Sequence, residues 1–261
     1  MPGVHDHVIP DDATDATDAA HRCVAGDRPM LVWVLALAMA LVVGGCGTTV
    51  SAGSELTVYV SAPLRGADRP DGVEVVAGAT RALEDAGGEA GGVPVTLEVL
   101  DDAEQLPPAA GGTGWSQAQV AANARAATED STAMAYIGEL QSDATRVSAP
   151  ITNEAGVLQI SPGPVAAELL AEPGGNDVPE DFQPTGERTL GALVTPASIR
   201  SGSYRDYGYE AMALILDSIE RAEDPLSRAD VIAGFLTTVD RESRLGTYSV
   251  GPTGLAAFAG P

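Results

Sequence analysis

Ala133-Met134-Ala135-Tyr136-Ile137-Gly138-Glu139-Leu140-Gln141-Ser142 is the stretch that decides the fold. Ala133–Ile137 is a short apolar run, the mark of a strand buried on both faces. At Gly138 the apolar run stops, and Gly138–Ser142 turns into a helix that ends near Asn153–Gly156. The next run, Val157–Ile160, is again strand-like, and Ser161-Pro162-Gly163-Pro164 breaks it.

The same alternation extends upstream. Leu56-Thr57-Val58-Tyr59-Val60 is β-prone and leads into a loop, Ser61–Asp71. Gly72–Ala86 then places Val73, Val76, Ala77, Thr80 and Leu83 at helical spacing, and Gly87-Gly88 and Gly91-Gly92 close the helix. Val93–Val99 alternates Val95, Leu97 and Val99 as a second strand ending at Asp101-Asp102. After a Pro/Gly-rich loop, Leu106–Gly114, an Ala-rich helix covers Gln117–Glu129. Four strands alternating with helices predict an α/β fold, a Rossmann-like parallel sheet with helices on both faces. Downstream, helices are predicted over Tyr207–Ala222 and Arg228–Leu236, the second capped by Ser227 with Asp230 in its first turn. Leu245–Val250 is predicted to add an edge strand.

Near the N-terminus, Met30–Val43 is an uncharged apolar run behind Arg22 and Arg28, followed by Gly44-Gly45-Cys46. It is shorter than the roughly 20 residues a membrane-spanning helix needs. Val43-Gly44-Gly45-Cys46 resembles the lipobox of bacterial lipoproteins. That resemblance implies cleavage before Cys46, a lipid on Cys46, and a chain anchored in the cell membrane on its extracytoplasmic side. Cleavage would remove His5, His7, His21 and Cys23 together. Lysine is absent, because all 14 basic residues are arginine. The exported chain would then offer no histidine base, no Schiff-base lysine, no free thiolate and no His/Cys metal set. This inventory points away from an enzyme and calls for no cofactor or metal. The net charge of −23 makes nucleic acid a poor partner.

Tyr136-Ile137-Gly138-Glu139-Leu140-Gln141-Ser142, with Ala149-Pro150-Ile151-Thr152-Asn153-Glu154-Ala155-Gly156-Val157-Leu158-Gln159-Ile160-Ser161-Pro162, resembles the leucine/isoleucine/valine-binding protein family, type 1 periplasmic-binding proteins of ABC importers. Gly87-Gly88, Gly92-Val93 and Leu100-Asp101-Asp102 fit the same pattern, as do Tyr207-Gly208-Tyr209-Glu210-Ala211-Met212 and Leu245-Gly246-Thr247-Tyr248-Ser249. The resemblance implies a lipid-anchored solute-binding protein whose ligand is an amino acid or similar carboxylate and whose partner is an ABC permease. It places the ligand's carboxylate at Ser142, with Asp143, Ala144 and Thr145 inside the helix, and adds Gly163, Pro164 and Val165 from the loop after Ile160. Three departures stand out: Val165 occupies a hydroxyl position, Pro164 has no N–H to donate, and Asp143 adds negative charge. Too few residues separate Val165 from Arg205 for a second α/β lobe, so the resemblance implies essentially one lobe of the fold. A single-lobe lipoprotein acting as an interaction or scaffold module is the alternative.

The resulting division is an n-region or misplaced start over 1–29, a signal peptide over 30–45 and a lipidated tether over 46–54. A first-lobe segment follows over 55–170, then a Pro/Gly/acidic linker over 171–203 that is unpatterned apart from Leu190–Val194. Residues 204–261 return to the first lobe. Ser142 is either a helix cap or a ligand contact. Asp101-Asp102 is read as a solvated strand end, Trp115 as a partly buried anchor for the following helix, and Tyr204, Tyr207 and Tyr209 as packing at the lobe's edge.

Overall fold

The computed structural model describes residues 55–103, 114–170, 189–194 and 203–259. The chain divides into two compact units at Cys46/Gly47, and every described residue lies in the second. The n-region, the lipobox with Cys46, the tether, most of the Leu106–Gly114 loop and most of the 171–203 linker lie outside the described residues. No helix among the described residues is long and apolar enough to cross a membrane.

In chain order the elements are β1 (Leu56–Ala62), α1 (Arg69–Asp85), β2 (Glu89–Ala90), β3 (Val93–Asp101), α2 (Gln117–Glu129), β4 (Ala133–Ile137), α3 (Ser142–Glu154) and β5 (Leu158–Pro164). A 3-10 turn at Ala167–Leu169 precedes β6 (Leu190–Val194), α4 (Tyr204–Arg221), α5 (Arg228–Leu236), β7 (Tyr248–Val250) and β8 (Ala256–Phe258). Six strands form one sheet in the order β2-β3-β1-β4-β5-β6, parallel except for the short antiparallel β2. The predicted α/β class and parallel sheet are therefore what the chain adopts.

Alternation along β1 shows how the layers are built. Leu56, Val58 and Val60 are buried in the large core that takes in α1, α4 and α5, whereas Tyr59 points to the opposite face and packs with α2, α3 and Tyr136. Helices α1 and α4 lie unusually close, because Gly78 and Gly208 present bare backbone to each other's helix. A Cβ at Gly78 would stand 2.6 Å from Tyr209 N, and one at Gly208 2.7 Å from Val75 Cα. Helix α4 is started by a capping box, in which Ser203 Oγ accepts from Asp206 N and the Asp206 carboxylate accepts from Ser203 N. Ser203→Ala is expected to lose about 1 kcal/mol, a fall of roughly 2–4 °C in a thermal melt.

Three sequence expectations change. First, Leu190–Val194 is not an isolated run inside a linker but the sixth strand of the sheet, pairing parallel with β5. Its five residues are too few for periodicity to separate strand from linker. Second, Ser161-Pro162-Gly163-Pro164 does not break β5, which runs to Pro164. The register against β6 shifts there, and Ser161 Oγ supplies polar contacts that the prolines cannot, accepting from Gly163 N and donating to Glu139 O at 2.7 Å. Third, Tyr248–Val250 does not join the main sheet as an edge strand. It forms an antiparallel hairpin with β8 through the turn at Gly251–Gly254, where Gly254 takes φ +77°.

Candidate functional site

The strand order places a topological switch between β1 and β4: the chain leaves β1 towards β3, then crosses to the other side for β4. In open α/β sheets ligands sit outside the carboxyl ends of the strands at such a point. The loops after β1 and β4 meet there, and Gln141 Nε2 donates to Asp68 Oδ2 at 2.8 Å across the gap.

Of the residues singled out in sequence, Ser142 is the first residue of α3 and not its cap. Gln141 is the N-cap, and its side chain makes no capping bond. Ser142 Oγ instead accepts from Ala166 N at 2.7 Å, tying the start of α3 to the loop after β5. Arg146 and Glu168 form an ion pair at 2.7 Å that fastens the same two segments a turn further on. Ser142 and Pro164 are half-buried and Asp143 is exposed, so these three line the outer surface of the site.

The other four expected contacts are withdrawn from it. Ala144 and Thr145 are buried, and Thr145 Oγ1 donates back to Gln141 O at 3.2 Å. Gly163 is buried against Leu140, where a Cβ would stand 2.6 Å from the carbonyl carbon. Val165 is fully buried with Ala149, Leu169, Leu170, Leu190 and Ala192. Its apolar side chain serves this small second core, so a ligand role for the Val165 side chain is corrected to a packing role. What remains for a ligand is the N-terminal turn of α3, whose first N–H groups have no carbonyl upstream within the helix and whose dipole favours an anion.

A polar cluster that sequence reading passed over lies behind this surface. Asp102 is not a solvated strand end: it is 0% exposed, as is Glu139 in the β4–α3 loop. The two carboxyls lie close enough to shift each other's proton affinity, Asp102 raising that of Glu139. Tyr136 donates its hydroxyl proton to Glu139 Oε1 at 2.6 Å. Asn123 Nδ2 donates to Ser61 Oγ at 3.0 Å, and Gln119 Nε2 to Asn123 Oδ1 at 3.0 Å, extending the network onto α2. Burial, followed by the charges of Asp101 and Asp68 and against the effect of Glu139, pushes Asp102 up to about 6; burial, followed by Asp102, holds Glu139 well above the usual carboxylate range. The signal available in sequence was positional. Both β3 and β4 flank β1, so side chains at their carboxyl ends converge over Ser61.

The remaining candidates take structural roles. Asp101 accepts from Leu64 N and Ala103 N and pairs with Arg65. Trp115, half-buried, bridges to Ala103 just before Ser116 caps α2. Tyr207 is in the core, while Tyr209 donates to Asp85 at 3.1 Å and carries Arg244 over its ring at 3.9 Å.

The fold is that of an α/β lobe of the type 1 periplasmic-binding kind. No protein-family profile and no curated protein matches the sequence. Among solved structures, the chain is similar to a leucine-binding protein LivK from Thermotoga maritima, at 14% identity and a TM-score of 0.55, covering 77% of this chain and 93% of that one. It is also similar to the branched-chain amino acid transporter substrate-binding protein LivJ of Streptococcus pneumoniae in complex with isoleucine, at 11% identity and a TM-score of 0.54, covering 78% and 94%. A third is an ABC-transporter solute-binding protein from R. palustris in complex with 4-hydroxybenzoate, at 12% identity and a TM-score of 0.55, covering 78% and 91%. At these identities the likeness is one of fold. All three are described as leucine-, substrate- or solute-binding proteins.

Proposed function

We propose that the chain is an extracytoplasmic solute-binding protein of the branched-chain amino-acid ABC importer type, held at the membrane by a lipid on Cys46. Its ligand is a small carboxylate-bearing solute, an amino acid or a similar acid, and its partner is an ABC permease. One observation carries the reading: the free N-terminal turn of α3 opens at the switch point of the sheet, with Ser142 half-exposed beside it. Solved neighbours of the same fold hold isoleucine or 4-hydroxybenzoate, which supports a carboxylate ligand without selecting one. Binding, not catalysis, is the activity that fits.

The test is a thermal melt of the full chain in mild detergent against branched-chain amino acids and hydroxybenzoates. A ligand that binds only the folded state adds about 2.7 kcal/mol at a hundredfold excess over Kd, roughly 5–11 °C for a unit of this size. The expected result is a saturable rise with at least one of them, reduced at least about tenfold in apparent affinity by Ser142→Ala. A cooperative melt that no solute moves overturns the reading. It would favour the interaction module, which the withdrawal of Val165, Gly163, Ala144 and Thr145 from the surface already supports.

A further inference from the structure

We propose that Asp102 and Glu139 form a proton-sharing latch that fastens the β4–α3 loop to the end of β3 and releases it as the pH rises. The inference stands whatever the solute is, because it concerns how the loop is held.

Burial of both carboxyls favours a proton held between them. Both side chains are fully buried, and Asp102 Oδ1, Asp102 Oδ2 and Glu139 Oε2 have no N–H or O–H donor among the described residues. Two buried charges close together would repel at low dielectric, with the Tyr136 hydroxyl offsetting only part of the cost. One proton converts that repulsion into a charge-assisted hydrogen bond. Its position follows from the neighbours: Glu139 Oε1 already accepts from Tyr136, so the proton belongs on Oε2, the oxygen left for Asp102.

The latch has a defined mechanical place. Asp102 N donates to Ala62 O and Asp102 O accepts from Ser116 N, so its backbone is fixed to β1 and to the start of α2. Glu139 sits between Gly138 and the N-cap Gln141, so whatever holds Glu139 also sets the entry of α3. The titratable groups facing the pair come from three further places. They are Asp101 on β3, engaged by Arg65; Asp68 ahead of α1, engaged by Gln141; and Tyr136 on β4, whose own ionisation burial pushes well above its usual range. These neighbours add negative charge or donate to Glu139, so they set the pair's proton affinity without replacing the shared proton.

The sign follows directly. Each carboxyl binds its proton more tightly folded than unfolded, so the stability it contributes is full below the unfolded value of 3.8 for Asp102 and 4.5 for Glu139. That contribution is lost as pH rises, through about 6 for Asp102 and through the raised value of Glu139.

The experiment is a set of melts of the full chain in mild detergent from pH 4 to pH 9, with Glu139→Gln and Asp102→Asn alongside. In Glu139→Gln the amide oxygen can still accept from Tyr136 while Nε2 donates permanently to Asp102. The variant should therefore melt several degrees above wild type at pH 9, with the gap closing by pH 5. Asp102→Asn should flatten the profile in the same direction. Hydrogen exchange over residues 138–145, corrected for intrinsic rates, should quicken at least about threefold from pH 6 to pH 9 in wild type and not in Glu139→Gln. The general repulsion of a chain with net charge −23 also weakens the fold at high pH, but it acts on wild type and variants alike. Parallel profiles for wild type and both variants, or equal exchange in the loop, would overturn the latch.

Discussion

Gly78→Leu abolishes the cooperative melt of the α/β unit, and Gly78→Ala lowers its stability by about 3 kcal/mol or more, at the upper end of the cost of overpacking. The sign is the informative part. Gly78 lies in the interior of α1, where helix propensity alone makes alanine better than glycine by roughly 0.5–1 kcal/mol. Packing says the opposite. The added methyl would overlap the Arg205 carbonyl oxygen and stand 2.6 Å from Tyr209 N, and these are backbone atoms of α4 that no rotamer change can move aside. Gly208 mirrors the arrangement from α4, and the Arg205–Glu74 ion pair and the Tyr209–Asp85 hydrogen bond hold the two helices on either side of the contact. The helices would have to separate, exposing Val75, Ala79, Ala211 and Ile215, which are now fully buried. Denaturant melts of the two variants decide the matter. An alanine variant more stable than wild type would mean that α1 and α4 are not packed as described.

That contact also shows what could be read from the sequence and what could not. Helix α4 was legible as a helix because Ala211, Leu214, Ile215 and Ile219 share a face, but periodicity carries no information about its partner. Its return to the first-lobe segment came from the resemblance of Tyr207-Gly208-Tyr209-Glu210-Ala211-Met212 to a family pattern. The strands β1, β3 and β4 were legible because apolar residues dominate or alternate in them over five residues or more. Strand β6 was not, since a run as short as Leu190-Gly191-Ala192-Leu193-Val194 becomes a strand only once β5 lies beside it. Ser161-Pro162-Gly163-Pro164 misled for a related reason. Proline breaks a strand by removing a donor, yet here Ser161 Oγ covers the loss with bonds to residues 22 and 2 positions away in the chain.

The loop that carries the candidate site was legible as a turn, and the contacts within it were less so. The turn Gly138–Ser142 was placed correctly because a strand leading into a helix has few ways to run. The roles within it were not, because burial is a tertiary property. Val165 looked like a missing hydroxyl and is a core residue; Asp102 looked solvated and is sealed. Ser142 was weighed as cap or ligand contact, and its hydroxyl instead accepts from Ala166 N, a bond between segments 24 residues apart.

Arg228→Met is expected to cost about 3 kcal/mol, lowering the melt by roughly 6–12 °C, while leaving intact the solute binding proposed at the far end of the sheet. Arg228 is only 7% exposed, and its guanidinium donates to three main-chain carbonyls: Asp130 O at 2.7 Å, Ala133 O at 2.8 Å and Ala155 O at 3.2 Å. Asp130 is the C-cap of α2, Ala155 is the C-cap of α3, and Ala133 opens β4, so one planar group on α5 ties down three ends at once. Cations are favoured at helix C-termini, where the exposed carbonyls carry partial negative charge. Methionine preserves much of the volume but leaves the carbonyls without this donor, and buried unpaired acceptors are what make such a change expensive. Arg228→Lys keeps the charge but offers a point donor in place of a fork, so it should recover only part of the loss. Ala133 begins β4 and Ile137 ends it, which puts the Arg228 guanidinium at the opposite end of the strand from Ser142. A melt lowered in Arg228→Met with an unchanged apparent Kd therefore separates what holds the lobe together from what it holds. An Arg228→Met variant as stable as wild type would mean that the three ends do not depend on it.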